Sequence, residues 1–486
     1  MTTNPVLSFI NLFIQQYFMK SLFPKAIRLC VVICLLFFFN SVTCAQSQNT
    51  YSLASLVEAA QGHLPLLFQK QALVNSARAN ITDARNSFLP KLNVGDELSV
   101  ASSNDVTGTY LPLGGIIHAT SGSIRPDNNY SAQTGNIASV YAEYDLINFG
   151  LRGAKVSNAI AYADVQQADF DKEAYVIKLQ VGKLYFNMLK NIYLLQVDQQ
   201  NINRYQSVYV IISALTGSGI KPGADSSQAK SELSKIRVSY NQRQGLIRQL
   251  QQQLCFLTGI DAIDINIDTA HRDDRAETSA TFSQIADSTN NPLLSYYIKQ
   301  KTLYQSAESL VKKSYLPKIM LAGGGWARGS SIAYGDDYRS LNTGLGYQRY
   351  NYAAGIAITY DLFNTVHRKN KLAVNRYQTQ AADFDLKQHV LALHNAQAQA
   401  NEAIKTAELN LKELPIQLQS ATDTYNQKIA QYKAGVINLI DLTNASFLLY
   451  TAQINYIETL NDWYTANLDK AASGGNLDLF IQNIKR

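Results

Sequence analysis

From Leu92 onward apolar and polar residues alternate. Leu92, Val94, Leu98 and Val100 fall on one side, and Asn93, Gly95, Glu97 and Ser99 on the other, with Asp96 out of place on the apolar side. A period of two predicts a strand. The alternation returns in Ala138, Val140, Ala142, Tyr144 and Leu146. It is clearest near residue 355, where Tyr352, Ala354, Ile356, Ile358, Tyr360 and Leu362 oppose Asn351, Ala353, Gly355, Ala357, Thr359 and Asp361. A strand of about ten residues, aliphatic in the middle with Tyr near both ends, suits a bilayer between two aromatic girdles. Tyr352, Ala354, Ile356, Ile358 and Tyr360 are therefore expected to face lipid.

Other stretches carry a helical period. Residues 53–88 read as helix and end at Leu89-Pro90, because Pro pushes its predecessor out of the helical region. Val156, Ile160, Ala163, Gln167, Phe170, Ala174, Ile177, Val181, Leu184 and Met188 advance by steps of four and three, the seam of a coiled coil. A single helix over 150–212 would reach about 95 Å at 1.5 Å per residue. A second seam runs through Ala229, Leu233, Ile236, Tyr240, Arg243, Ile247, Leu250, Leu254 and Leu257. Between the two, Gly217, Gly219, Pro222 and Gly223 predict the tip of a helical hairpin. The matching seam in the second half is less regular, with Asp383 and Gln397 at apolar positions.

The chain repeats itself. Leu64-Pro65-Leu66-Leu67 is answered by Asn291-Pro292-Leu293-Leu294, and Ser87 to Lys91, around Pro90, by Ser314 to Lys318, around Pro317, both at an offset of 227. Tyr144 to Asn148 is answered by Tyr360 to Asn364. Gly219, Asp225 and Ala229 are answered by Gly435, Asp441 and Ala445, now at an offset of 216. The expected organisation is a signal peptide at 1–45, with Met19 as an alternative start, and a first repeat at 46–259 with a β-hairpin at 91–148 and a helical hairpin at 150–259. A linker at 260–280 leads to a second repeat at 281–472, with a β-hairpin at 318–364 and a helical hairpin at 365–472. A tail follows at 473–486.

Composition sharpens this picture. Among 486 residues, 46% are apolar and only 16% charged, while Pro numbers ten and Gly 26, so disorder and loop-dominated folds are excluded and long helices favoured. The net charge of +6 includes Lys20, Lys25 and Arg28. Beyond residue 45 there are 40 bases against 37 acids, no signature for polyanions. Those three bases precede the apolar run Leu29–Phe39 and Thr43-Cys44-Ala45, an export signal predicting cleavage before Gln46. The run is too short to span a membrane. Cys44 offers a lipid-attachment alternative, which Ser41 and Thr43 fit poorly. Cys30, Cys34 and Cys44 leave with the signal, so Cys255 stands alone and reads as a packed apolar residue.

No chemistry shows. The six His are scattered, with His389 and His394 five residues apart and off a shared helix face. There is no nucleophile elbow or phosphate loop, and Gly323-Gly324-Gly325 has the wrong spacing for a nucleotide. The sequence reads as a non-enzyme with no metal and no cofactor. The charge run His271 to Arg275 reads as solvated linker.

The chain resembles the outer-membrane efflux protein family, the TolC-like channel tunnels, from Tyr51 to about Ala472. The doubled motif carries the likeness: Tyr432-Lys433-Ala434-Gly435 with Asp441-Leu442 and Ala445, and Gly219, Asp225 and Ala229 at matching positions. The resemblance implies a mainly α fold with a transmembrane β-barrel. Each chain would give tandem-duplicated helical hairpins and four strands, and a homotrimer would close a 12-stranded barrel continuous with an α-helical tunnel. Four strands alone cannot close, since about eight is the practical minimum. The arithmetic allows two, three or four chains, and the resemblance selects three. It also implies a Gram-negative outer-membrane location, a periplasmic adaptor and an inner-membrane pump as partners, passive conduction, and a constriction at Asp441 and Asp225. Tyr432 would be available to bond Asp225. Asn444 stands where some members carry a second acid, and Ile437 where some carry a base that helps hold the aperture shut. A periplasmic coiled-coil adaptor or scaffold remains the alternative, disfavoured by the tandem duplication.

Overall fold

The computed structural model describes residues 50–102, 104, 127–267, 291–335 and 337–484. The expected signal peptide and the charge run at 271–275 lie outside the described residues. The chain begins with β1 (Thr50–Tyr51), α1 (Leu53–His63) and α2 (Pro65–Asn86), followed by β2 (Lys91–Ala101) and β3 (Gln133–Ile147). A helical hairpin comes next, α3 (Leu151–Gly217) and α4 (Gly223–Thr258), closed by β4 (Asn266–Ile267). The second half holds α5 (Pro292–Ser314), β5 (Lys318–Ser330), the short pair β6 (Ile332–Ala333) and β7 (Asp337–Tyr338), and β8 (Arg349–Thr359). It continues with α6 (Asn364–Lys433), α7 (Leu439–Ser473) and α8 (Leu477–Asn483).

The helix read over 53–88 is two helices. Pro65 opens α2, and Leu64 before it is extended, with φ −68° and ψ 120°, because the proline ring excludes its predecessor from the helical region. α3 is one unbroken helix of 67 residues, about 100 Å long at 1.5 Å per residue.

Four strands form one antiparallel sheet in the order β2-β3-β5-β8. Its register sorts the side chains into two faces. Leu92 pairs with Ala142, Ala142 with Gly323, and Gly323 with Ala354; one step along, Val94, Val140, Gly325 and Tyr352 line up. The opposite face carries Glu97, Ile137, Arg328 and Arg349 in one row, and Gly95, Ser139, Trp326 and Asn351 in the next. Along β8 the apolar face is bare: Ile356, Ile358 and Tyr352 are 66, 70 and 91% exposed. Asp96, the exception on that face, accepts a hydrogen bond from the Tyr347 hydroxyl at 3.0 Å. The sheet is open, and among the described residues the outer edges of β2 and β8 pair with nothing. A closed barrel of 12 strands is thus not a property of the single chain.

The largest core lies near the middle of α3 and α6, against the C-terminal ends of α4 and α7. Leu56 of α1, Val181 and Phe186 of α3, Leu254 of α4, Trp463 and Leu468 of α7, and Phe480 of α8 form one buried cluster. Phe186 stacks on Tyr464, with ring centroids 5.2 Å apart. At Gly182 an added Cβ would come within 3.0 Å of Leu468, so glycine lets α3 and α7 meet closely. Asn291 caps α5 and also donates to the carbonyls of Ala472 and Ser473 at 3.1 and 2.9 Å, tying the second repeat's start to its end. Stretches read as linker and tail contribute to this core: Ile265, Ile267, Leu477 and Phe480 are buried. Cys255 is a free thiol packed against the same cluster.

Nearer the sheet the single-seam reading of α3 does not hold. Ile160 is exposed, while Ala159, Ala161, Val165 and Ala168 are buried. Here α3 is flanked by both α2 and α5, so small residues on two faces are needed for close approach. Ion pairs fasten this region: Lys70 to Asp169 at 2.5 Å, Lys299 to Asp164 at 3.1 Å and Lys301 to Asp383 at 2.6 Å. Asp383, an outlier in the apolar pattern, is held down to about 2 by hydrogen bonds from Lys301 and then Lys387. Its pairing therefore persists above the ordinary carboxylate range and is lost as pH falls through about 2.

Candidate pore constriction at the hairpin tips

The two tips are built alike because the same residue types stand at the same places. α3 ends at Gly217 and α6 at Lys433; Gly219 and Gly435 then adopt φ of +72° and +77°. A left-handed residue ends a helix at little cost only if it lacks a Cβ. The Ile220 amide donates to the Leu215 carbonyl at 3.0 Å, and the Val436 amide to the Gln431 carbonyl at 2.9 Å. These are the matching six-to-one bonds of a Schellman end. Asp225 and Asp441 then occupy the same position, in the first turns of α4 and α7. Acids are favoured there by the partial positive charge of the helix N-terminus.

The two acids differ in surroundings. Asp441 is exposed, and so is Asn444 one turn later. The cap of α7 is Asn438, whose side-chain oxygen accepts the Asp441 amide at 2.9 Å. Among the described residues the Asp441 carboxylate makes no hydrogen bond or ion pair, so it is free for the aqueous side of the tip. Asp225 is half-buried. Ala229 and Ala445 are buried, which lets the tips pack closely, and Pro90 and Pro317 sit immediately before β2 and β5.

The tips meet in an apolar cluster of Val208, Ile212 and Ala229 from the first hairpin with Tyr425, Tyr432, Leu439 and Leu442 from the second. Tyr432 is only 2% exposed, yet its hydroxyl has no hydrogen-bond partner. The bond from Tyr432 to Asp225 allowed by the sequence is therefore not formed. Burial raises the Tyr432 pKa, and the nearby Asp225 charge raises it further. The Lys221 ammonium lies 5.7 Å from the Tyr432 ring centroid, within cation–π range. Lys221 is the first-repeat counterpart of Ile437 at the 216 offset, so the positive charge absent at 437 stands on the other tip. The offset was the signal that could have found it.

Among the described residues no helix is long and apolar enough to cross a membrane, and no group of His, Cys, Asp and Glu could hold a metal. The first of these findings says nothing about strands. The sequence matches the profile of the outer membrane efflux proteins over residues 56–260 and 289–473. The chain belongs to that family. An outer membrane efflux protein of this kind is also recognisable by shape. VceC from Vibrio cholerae is similar at a TM-score of 0.70 and 14% identity, covering 87% of this chain and 96% of that one. CmeC of Campylobacter jejuni gives 0.71 and 15%, covering 87% and 86%. The open state of MtrE from Neisseria gonorrhoeae gives 0.65 and 17%, covering 87% and 89%. At such identities the likeness establishes the fold. No curated protein sequence matches the chain significantly.

Proposed function

We propose that three copies of this efflux protein form a passive channel tunnel in the Gram-negative outer membrane. Each copy contributes four strands to a 12-stranded barrel, and the helical hairpins extend into the periplasm, where an adaptor and an inner-membrane pump of an efflux or type I secretion system engage them. The observation that carries this reading is the sheet, with a largely apolar face across four strands opposite a more polar one, and outer edges of β2 and β8 that are unpaired among the described residues. In hydrocarbon an open edge leaves backbone groups unsatisfied, so strands span lipid only in a closed barrel. Three sheets of four close one. Fractionation with intact-mass measurement tests it. The protein is expected in the outer membrane, beginning at Gln46, and recovery as a detergent-independent periplasmic protein would defeat the reading.

The Asp441 carboxylates of three copies would ring the narrow periplasmic end, with Asp225 beside them. Clustered carboxylates favour cations and raise one another's affinity for protons. Asp441→Asn is expected to lower cation selectivity and weaken block by multivalent cations in single-channel recordings, with oligomer yield unchanged. Unchanged selectivity together with lower stability would instead assign Asp441 to the helix terminus.

A further inference from the structure

A charged cluster built around a buried acid lies between the helices, away from the tip. Asp198 of α3 is fully buried. One carboxylate oxygen accepts from Arg243 Nε of α4 at 2.6 Å, and the other from the Tyr450 hydroxyl of α7 at 2.7 Å. Burial and then the Asp198 hydrogen bond push the Tyr450 pKa up to about 12. Nearer the tip, Arg204 Nη2 donates to Asn201 at 3.2 Å and to Gln453 of α7 at 3.0 Å, while its Nε is buried without a partner. Burial lowers the Arg204 pKa.

This polar layer lies between two apolar ones. On the sheet side are Tyr193, Leu194, Val197 and Ile457; on the tip side is the cluster around Ile212, Tyr432 and Leu442. All three layers join the first hairpin to the second. Apolar contacts are non-directional and survive small sliding or rotation, whereas an ion pair with a hydroxyl at 2.7 Å is met in one register only. Asp198 lies about 30 Å along α3 from its end at the tip, at 1.5 Å per residue. On α7 itself Asp441 lies nine residues from Tyr450, about 14 Å at 1.5 Å per residue, so a rotation of α7 at the layer carries Asp441 with it.

We propose that Asp198, Arg243 and Tyr450 are positioning residues for the gate: they fix α7 in one register against α3 and α4 and so hold the second tip against the first. The proposal rests on the channel reading above. It separates the register lock from the constriction, which contains none of these three residues.

The test is basal conductance of the purified full-length protein in planar bilayers, with thermal stability and oligomer yield measured alongside. Asp198→Asn leaves the half-buried Arg243 opposite a neutral group and should raise basal open probability by about 5- to 150-fold, the span of ordinary coupling between sites. The deciding variant is Asp198→Leu with Arg243→Met, which removes both charges. Replacing a buried pair by apolar residues commonly preserves or increases stability. The proposal expects normal yield and stability with raised basal conductance. Wild-type basal conductance in the double variant would overturn it while leaving the channel reading intact. A wild-type channel already fully open with the layer in place would also overturn it, and a wild-type protein without conductance would overturn both.

Discussion

Arginine at Ile356 is expected to destabilise the assembled protein by about 2–4 kcal/mol if the residue lies near the bilayer midplane, and arginine at Ala357 by far less. The two positions are adjacent on β8 and point to opposite faces, Ile356 in the row of Leu321 and Ala357 in the row of Met320 and Asp145. The first row belongs to the bare apolar face, where a guanidinium would lose its hydration to hydrocarbon. The second belongs to the face that already carries Glu97, Arg328 and Arg349, where a charge stays wet. Denaturant titration of the detergent-extracted or lipid-reconstituted protein reads the difference. Equal tolerance at the two positions would mean that the apolar face does not meet lipid.

The second large effect is expected at Phe186, deep in the core shared by both repeats. Its ring stacks on Tyr464 and meets Tyr185 and Phe480 edge to face, at centroid distances of 5.2, 5.4 and 6.1 Å. Truncation to alanine should cost about 3–5 kcal/mol, because the transfer energy of the ring is lost and a cavity remains. Since α3, α7 and α8 all touch this ring, the loss should appear as one cooperative drop in melting temperature. A melting temperature within a degree or two of wild type would show that the cluster collapses around the gap.

The fold was legible where one face of an element decides its burial. From Ala174 to Met188 the seam of α3 is buried as its spacing predicts except at the half-buried Leu184, and the second seam from Ala229 to Leu257 is mostly buried as well. It failed at Ile160, because two neighbours flank α3 there and the stripe becomes two faces. Asp383 and Asp96 looked like errors of pattern; each is satisfied by a residue far away in sequence, Lys301 and Tyr347, which no period reveals. Asp198 was invisible as one acid in a long helix, although Arg243 on the apolar seam signalled that a buried partner was needed. At the tips, the motif located both glycines and both acids, but not whether the Tyr432 hydroxyl would reach Asp225. That depends on a rotation of one hairpin against the other, which local sequence does not encode.

The claim on which all else depends is that the open sheet is completed by other copies of the same chain in the outer membrane. Native mass spectrometry of the protein extracted from that membrane in mild detergent measures the number of chains directly. Three chains per complex is the predicted result, and a single chain, folded and monodisperse without detergent, would contradict it.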